Sequence, residues 1–132
     1  MICYRDIVAR LETLHLLRRV DLHRATQALD LYSGQFPLLQ YIHHHQGCTQ
    51  QELAEGMMVT PASVALSTKR LQKAGLIEKK ADQENLRCNR LALTEKGTRL
   101  AQQCLEIFDD YDRKLFSGFR EEELEQLTSY LD

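Results

Sequence analysis

Apolar positions recur at helical spacing toward both ends of this chain, and a strand-like alternation appears between them. From Ile2 to about Ala28 there is no glycine or proline. Ile7, Val8, Leu11, Leu14, Leu16, Leu17, Val20 and Leu22 form a stripe too broad for one buried face. A second long helix is predicted over 95–116 through Leu100, Cys104, Leu105, Ile107, Phe108, Tyr111 and Leu115, until Ser117-Gly118 breaks it. A last short helix carries Leu124, Leu127, Tyr130 and Leu131 behind Glu121-Glu122-Glu123, an acidic start that suits the helix dipole. Long terminal helices with surplus apolar surface predict an interface with another chain.

The middle of the chain is punctuated more finely. Thr49 precedes a short apolar-periodic run with Glu52 three residues on, the capping-box pattern. Leu53 and Ala54 are predicted to face inward, with Gly56 at the helix stop and Met57-Met58-Val59 as connector. Thr60 is a second N-cap, with Pro61 at the first helical position, where its missing N–H is harmless. Val64, Ser67 or Thr68, Leu71 and Ala74 recur at helical spacing, and Gly75 closes the helix. Two short capped helices joined tightly make a helix-turn-helix.

With Val64 and Leu71 inward, Ala62, Ser63, Ala65, Leu66, Lys69, Arg70 and Lys73 face solvent, small residues first and cations later. Such a face suits a recognition helix, because small side chains permit close approach to base edges and cations meet phosphates. It also suits an ordinary solvated helix face. The following segment favours the first reading. Leu76 to Lys80 and Arg90 to Thr94 read as two strands around a polar, turn-rich 81–89. Arg87 sits at the tip, with Lys79, Lys80 and Arg90 near the base. An arginine on a protruding loop suits a narrow minor groove.

In order and spacing, Gln35-Phe36-Pro37-Leu38-Leu39, Gln51-Glu52-Leu53-Ala54, Thr60-Pro61-Ala62-Ser63-Val64, Arg70-Leu71-Gln72-Lys73-Ala74-Gly75-Leu76-Ile77 and Leu93-Thr94-Glu95-Lys96-Gly97 resemble the MarR family of bacterial transcription factors. The resemblance covers roughly residues 34–99. It implies a mainly α fold with a small β-hairpin, a winged helix-turn-helix (34–97) flanked by dimerisation helices (1–30 and 98–132), in one domain over 1–132. It further implies a homodimer on an inverted repeat of double-stranded DNA, acting as a repressor released by a small molecule or by thiol oxidation. The expected DNA-binding residues are Thr60, Pro61, Ala62, Ser63, Ala65, Leu66, Lys69, Arg70, Lys73, Lys79, Lys80, Asn85, Arg87 and Arg90. Two departures stand out. Where the family's wing carries Asp-x-Arg, this chain has Asn85-Leu86-Arg87, and an amide bonds a guanidinium more weakly than a carboxylate does. Leu66 replaces a commonly polar or basic residue, fitting either contact with a thymine methyl or packing on a neighbouring helix. The alternative function is a winged helix that binds a protein partner.

Charge supports a nucleic-acid partner once it is divided along the chain. The net charge is −2, yet residues 61–99 hold nine Lys and Arg against four acids, while 100–132 hold three against nine. Local charge, not the total, attracts phosphate. No apolar run approaches the ~18 residues needed to span a bilayer, and Arg5, Asp6 and Arg10 interrupt any signal-peptide core, so a cytoplasmic protein is expected. No C-x-x-C pair, phosphate loop or H-E-x-x-H is present, and neither an enzyme, a metal nor a cofactor is expected.

The effector has several candidate seats. Leu14, His15, Arg18, Tyr32, Phe36, Tyr41 and Phe108 are candidates to line a space for a small aromatic ligand between the terminal helices and the winged helix. Cys3, Cys48 and Cys88 are candidate redox thiols; Cys48 before a cap and Cys88 in the wing are at positions compatible with exposure, a buried inert thiol or a harmless exposed one is the commoner case, and reactivity requires a lowered thiol pKa. Cys3 does not fall at the first-helix position used by the family's peroxide sensors. His43-His44-His45 draws the eye, but adjacent helical residues point about 100° apart and do not converge on one ion.

Overall fold

A computed structural model describes residues 1–29, 31, 35–85 and 87–132 of the chain. Helix α1 (Tyr4–Thr26) runs into a 3-10 turn (Gln27–Leu29) and is followed by α2 (Gln35–His44), strand β1 (Cys48–Thr49), α3 (Gln50–Met57) and α4 (Pro61–Lys73). Strands β2 (Ile77–Ala81) and β3 (Asn89–Leu93) form the hairpin, and α5 (Glu95–Leu115) and α6 (Glu121–Leu131) complete the order. The sheet is antiparallel in the order β1-β3-β2. Its two-residue β1 was not foreseen, because a strand so short carries no alternation to read. It pairs Cys48 with Leu91 and Thr49 with Arg90, tying the start of the helix-turn-helix to the hairpin.

Each cap expected in the middle of the chain forms. The Thr49 hydroxyl accepts from the Glu52 N–H at 3.1 Å, while the Glu52 carboxylate accepts from the Thr49 N–H at 2.8 Å. Thr60 Oγ1 accepts from the Ser63 N–H at 3.2 Å with Pro61 at the start of α4. The stop of α3 differs from the expectation. The helix continues through Gly56 to Met57 and ends on Met58, which takes the left-handed conformation at φ 53°. Gly56 serves another need: a Cβ there would overlap the Tyr41 ring of α2. Gly75 does close α4, at φ 74°, a region that favours glycine because it lacks a Cβ.

The core lies where the helix-turn-helix meets the sheet. Leu39 and Ile42 of α2, Leu53 of α3, Val64, Thr68 and Leu71 of α4, Ile77 and Leu91 of the hairpin, and Cys104 of α5 are fully buried. Gln50 Nε2 donates to Thr68 Oγ1 at 2.7 Å, satisfying that buried hydroxyl and fixing α3 against α4. Helix α1 adds only Leu22 and Thr26 to the buried set. It is held to α5 mainly by polar contacts. Arg18 makes a bidentate pair with Asp112 (2.8 and 2.7 Å), and Tyr111 donates to Asp21 at 2.9 Å. Ile7, Val8, Leu11, Leu14, Leu16, Leu17 and Val20 stay exposed on the single chain. No helix among the described residues is long and apolar enough to cross a membrane.

Candidate nucleic-acid interface

Helix α4 presents the face its sequence predicts. Pro61, Ala62, Ser63, Ala65, Leu66, Lys69, Arg70 and Lys73 are all exposed, whereas Val64, Thr68 and Leu71 anchor the opposite side. Leu66 is about half open to solvent on this face. Among the described residues no ion pair engages Lys69, Arg70 or Lys73, so their charge is available to an outside anion.

The described residues of the wing are joined by several hydrogen bonds. The Asp82 N–H donates to the Cys88 carbonyl at 3.0 Å, and the Cys88 N–H to the Asn85 carbonyl at 2.9 Å. Asn85 does not reach the Arg87 guanidinium: its Oδ1 accepts from the Arg87 backbone N–H at 3.1 Å, and its Nδ2 lies 3.4 Å from Cys88 Sγ. The amide therefore shapes the turn instead of holding the side chain. The Arg87 guanidinium is exposed and has no bonded partner among the described residues. Leu86 lies outside them. Arg90, expected among the free cations, is engaged: Nη2 and Nε bond Asp82 Oδ2 at 2.9 and 3.2 Å, and Nη1 donates to the Gly47 carbonyl at 3.0 Å. Lys80 pairs with Glu78 at 3.3 Å, and Lys79 is half-buried.

Four of the seven candidate ligand residues divide cleanly from the others. His15, Arg18, Phe36 and Phe108 line a cleft of about 410 Å³ between α1, α2 and α5, joined by Arg19, Leu22, His23, Thr26, Leu31 and Pro37. The Phe36 and Phe108 rings meet edge to face at 4.3 Å, and the Arg18 guanidinium sits 5.6 Å from the Phe108 centroid. Leu14 is exposed outside the cleft, and Tyr32 lies outside the described residues. Tyr41 points elsewhere, stacking on His45 at 4.1 Å beside Gly56. The polar part of the lining (His15, Arg18, Arg19, His23) was only half anticipated; the i, i+4 spacing of His15, Arg19 and His23 on α1 was the available signal.

The thiols separate by burial. Cys48, a candidate for exposure, is buried within the β1–β3 pair, and burial, assisted by Glu52, raises its thiol pKa. Burial pushes Cys104 up to about 11. Cys3 is exposed and Cys88 half-buried. The His43 and His44 rings meet edge to face at 5.3 Å while His45 stacks on Tyr41, and no cluster of three His, Cys, Asp or Glu able to hold a metal occurs among the described residues.

Comparison with known proteins places this architecture. The MarR family model matches residues 31–89. The chain is 32% identical over 103 residues to the uncharacterized HTH-type transcriptional regulator YybA of Bacillus subtilis, covering 78% of this chain and 69% of that protein. The chain belongs to the MarR family. This MarR family member is also 33% identical over 91 residues to the HTH-type transcriptional regulator BilQ of Clostridium symbiosum, spanning 69% of the chain but only 63% of BilQ. Its fold superposes on the S. aureus MepR–DNA complex with a TM-score of 0.82 at 25% identity, over 99% of this chain and 95% of that one. Membership agrees with the expectation that the protein is no enzyme.

Proposed function

We propose that this MarR family member is a sequence-specific regulator that binds an inverted repeat in double-stranded DNA as a homodimer and represses transcription in the cytoplasm. The observation that carries this reading is the pairing of α4's small-then-basic exposed face with an ordered wing whose Arg87 guanidinium is unengaged. Phosphate contacts by Lys69, Arg70, Lys73 and Lys79 supply affinity, while Ala62, Ser63, Ala65 and Leu66 approach base edges in the major groove. Thr60 and Pro61 set the start of that helix. The uncovered apolar surface of α1, Leu11 and Leu14 included, together with Tyr130 and Leu131 of α6, is the dimer surface. A two-fold dimer places two recognition helices about one DNA turn apart, ~34–36 Å.

The α1–α2–α5 cleft is the effector seat in this reading. Its floor is aromatic and its rim carries Arg18, Arg19, His15 and His23, a lining that suits a small aromatic anion. The cleft touches both the long helices and α2 beneath the winged helix, so a ligand there alters the spacing of the two DNA-binding units. Enrichment of random duplexes on the purified protein tests the proposal. The expected product is a palindromic consensus; a pool that remains random after repeated rounds contradicts sequence-specific recognition.

A further inference from the structure

The wing of this chain lacks the carboxylate that its Arg87 would be expected to pair with, yet its turn is closely bonded. The replacement lies at the hairpin base. The β2–β3 register sets Lys80 directly opposite Arg90, a like-charge pair that destabilises a sheet unless each cation finds an acid. Lys80 takes Glu78, and Arg90 takes Asp82, the first residue beyond β2. Asp82 has two tasks. Oδ1 accepts from the Glu84 N–H at 3.0 Å, opening the turn, and Oδ2 receives two donors from Arg90. Arg90 in turn reaches back to the Gly47 carbonyl, whose own N–H donates to Leu91 at 2.8 Å. One guanidinium thus joins the turn of the wing, its returning strand and the residue preceding β1.

We infer that Asp82 and Arg90 form the clamp that sets the pose of this wing, so that of its two arginines Arg90 is a positioning residue and Arg87 is the one presented to DNA. Hydrogen bonding, not burial, separates the two arginines: the Arg90 side chain is 45% accessible yet bonded to Asp82, itself only 15% accessible, and to Gly47, whereas Arg87 is open. The Glu84 N–H and the Arg90 guanidinium also hold the Asp82 carboxyl below its usual range, so it is charged near neutral pH. The consequence for affinity rests on the DNA-binding reading above; the clamp itself does not.

The two roles of Arg90 predict opposite signs. If Arg90 were a phosphate contact, Arg90→Lys would keep most affinity, and Asp82→Asn would tighten binding by removing a negative charge beside DNA. As a clamp, Arg90→Lys loses the planar fork, and Asp82→Asn weakens binding although it makes the protein more positive. The test measures anisotropy of a labelled duplex from the gene's own upstream region, at several salt concentrations, for wild type, Asp82→Asn, Arg90→Lys and the swap Asp82→Arg with Arg90→Asp. Amide hydrogen exchange of Glu84, Arg87 and Cys88 is measured on the same free proteins. The expected result is a loss on the order of tenfold for each single variant, with the slope of log affinity against log salt unchanged because no phosphate contact is lost. Exchange in the wing quickens while that of α5 stays as it was, and the swap restores both properties in part. Tighter binding by Asp82→Asn, wild-type affinity in Arg90→Lys, or unaltered wing exchange overturns the inference. If the wild type binds no duplex, the DNA reading and the presentation of Arg87 fall together, and the exchange data still decide whether Asp82 and Arg90 hold the wing.

Discussion

Two side chains of the same type, three residues apart, have different surroundings: Arg90 is spent on the protein and Arg87 is not. An arginine whose own backbone N–H is bonded to Asn85 and whose neighbour Cys88 is bonded to Asn85 and Asp82 loses less freedom on entering a groove. Arg87→Ala is therefore expected to weaken DNA binding by about 1–3 kcal/mol, the range of a good groove contact. Titration at fixed salt measures this, and unchanged affinity would remove the wing tip from the interface. Met58 makes a second residue-scale case. It holds a left-handed conformation at the end of α3 with its side chain in solvent, so it contributes little packing to offset the backbone cost. Met58→Gly is expected to stabilise the fold by about 0.5–1 kcal/mol, read as a higher midpoint in urea with an unchanged slope. A lower midpoint would show that the Met58 side chain contributes to the native state.

Elements were legible where local chemistry alone defines them. Thr49 with Glu52, Thr60 with Pro61, and Gly75 each act on neighbours within four residues, and each forms as its spacing requires. What could not be read depends on partners distant in sequence. Gly56 looked like a helix stop but makes room for Tyr41, fifteen residues earlier. The burial of Cys48 is not legible locally, because its strand exists only through pairing with Leu91. Arg90 looked free because Asp82 and Gly47 reach it only after the hairpin closes. The α1–α5 contact depends likewise on a long-range pair, Arg18 with Asp112, both about a third exposed. Hydrogen bonding from Arg18 holds the Asp112 carboxyl below its usual range, so the folded state binds fewer protons than the unfolded chain. Its contribution, no more than about 1 kcal/mol at this exposure, is complete above the unfolded value near ~3.9 and is lost as pH falls through the folded value. Asp112→Asn should lower stability near neutral pH and shrink that acid-side loss. Identical pH profiles for variant and wild type would show that the pair contributes nothing.

At the scale of the molecule, the chain divides its labour by charge and by polarity. The basic surplus of 61–99 lies on the α4 face and the hairpin, the acidic surplus of 100–132 on α5 and α6, and the unburied apolar residues on α1. An isolated chain leaves seven aliphatic side chains of α1 at least 38% exposed, an arrangement that a soluble monomer rarely keeps. Leu11→Glu combined with Leu14→Glu is expected to convert a dimer into a monomer in sedimentation equilibrium and to weaken DNA binding with it. A variant that remains dimeric would place the interface elsewhere.

In this protein the small-then-basic face of α4 and the wing are proposed to read DNA together. Anisotropy of the purified protein on its own upstream intergenic duplex, with random duplex as competitor, at 50 and 200 mM salt, tests it most directly. The expected result is competitor-resistant binding that weakens by a factor on the order of 10³ or more between the two salt concentrations, as release of many phosphate counterions requires. Binding no better than to random duplex, or an affinity indifferent to salt, would contradict it.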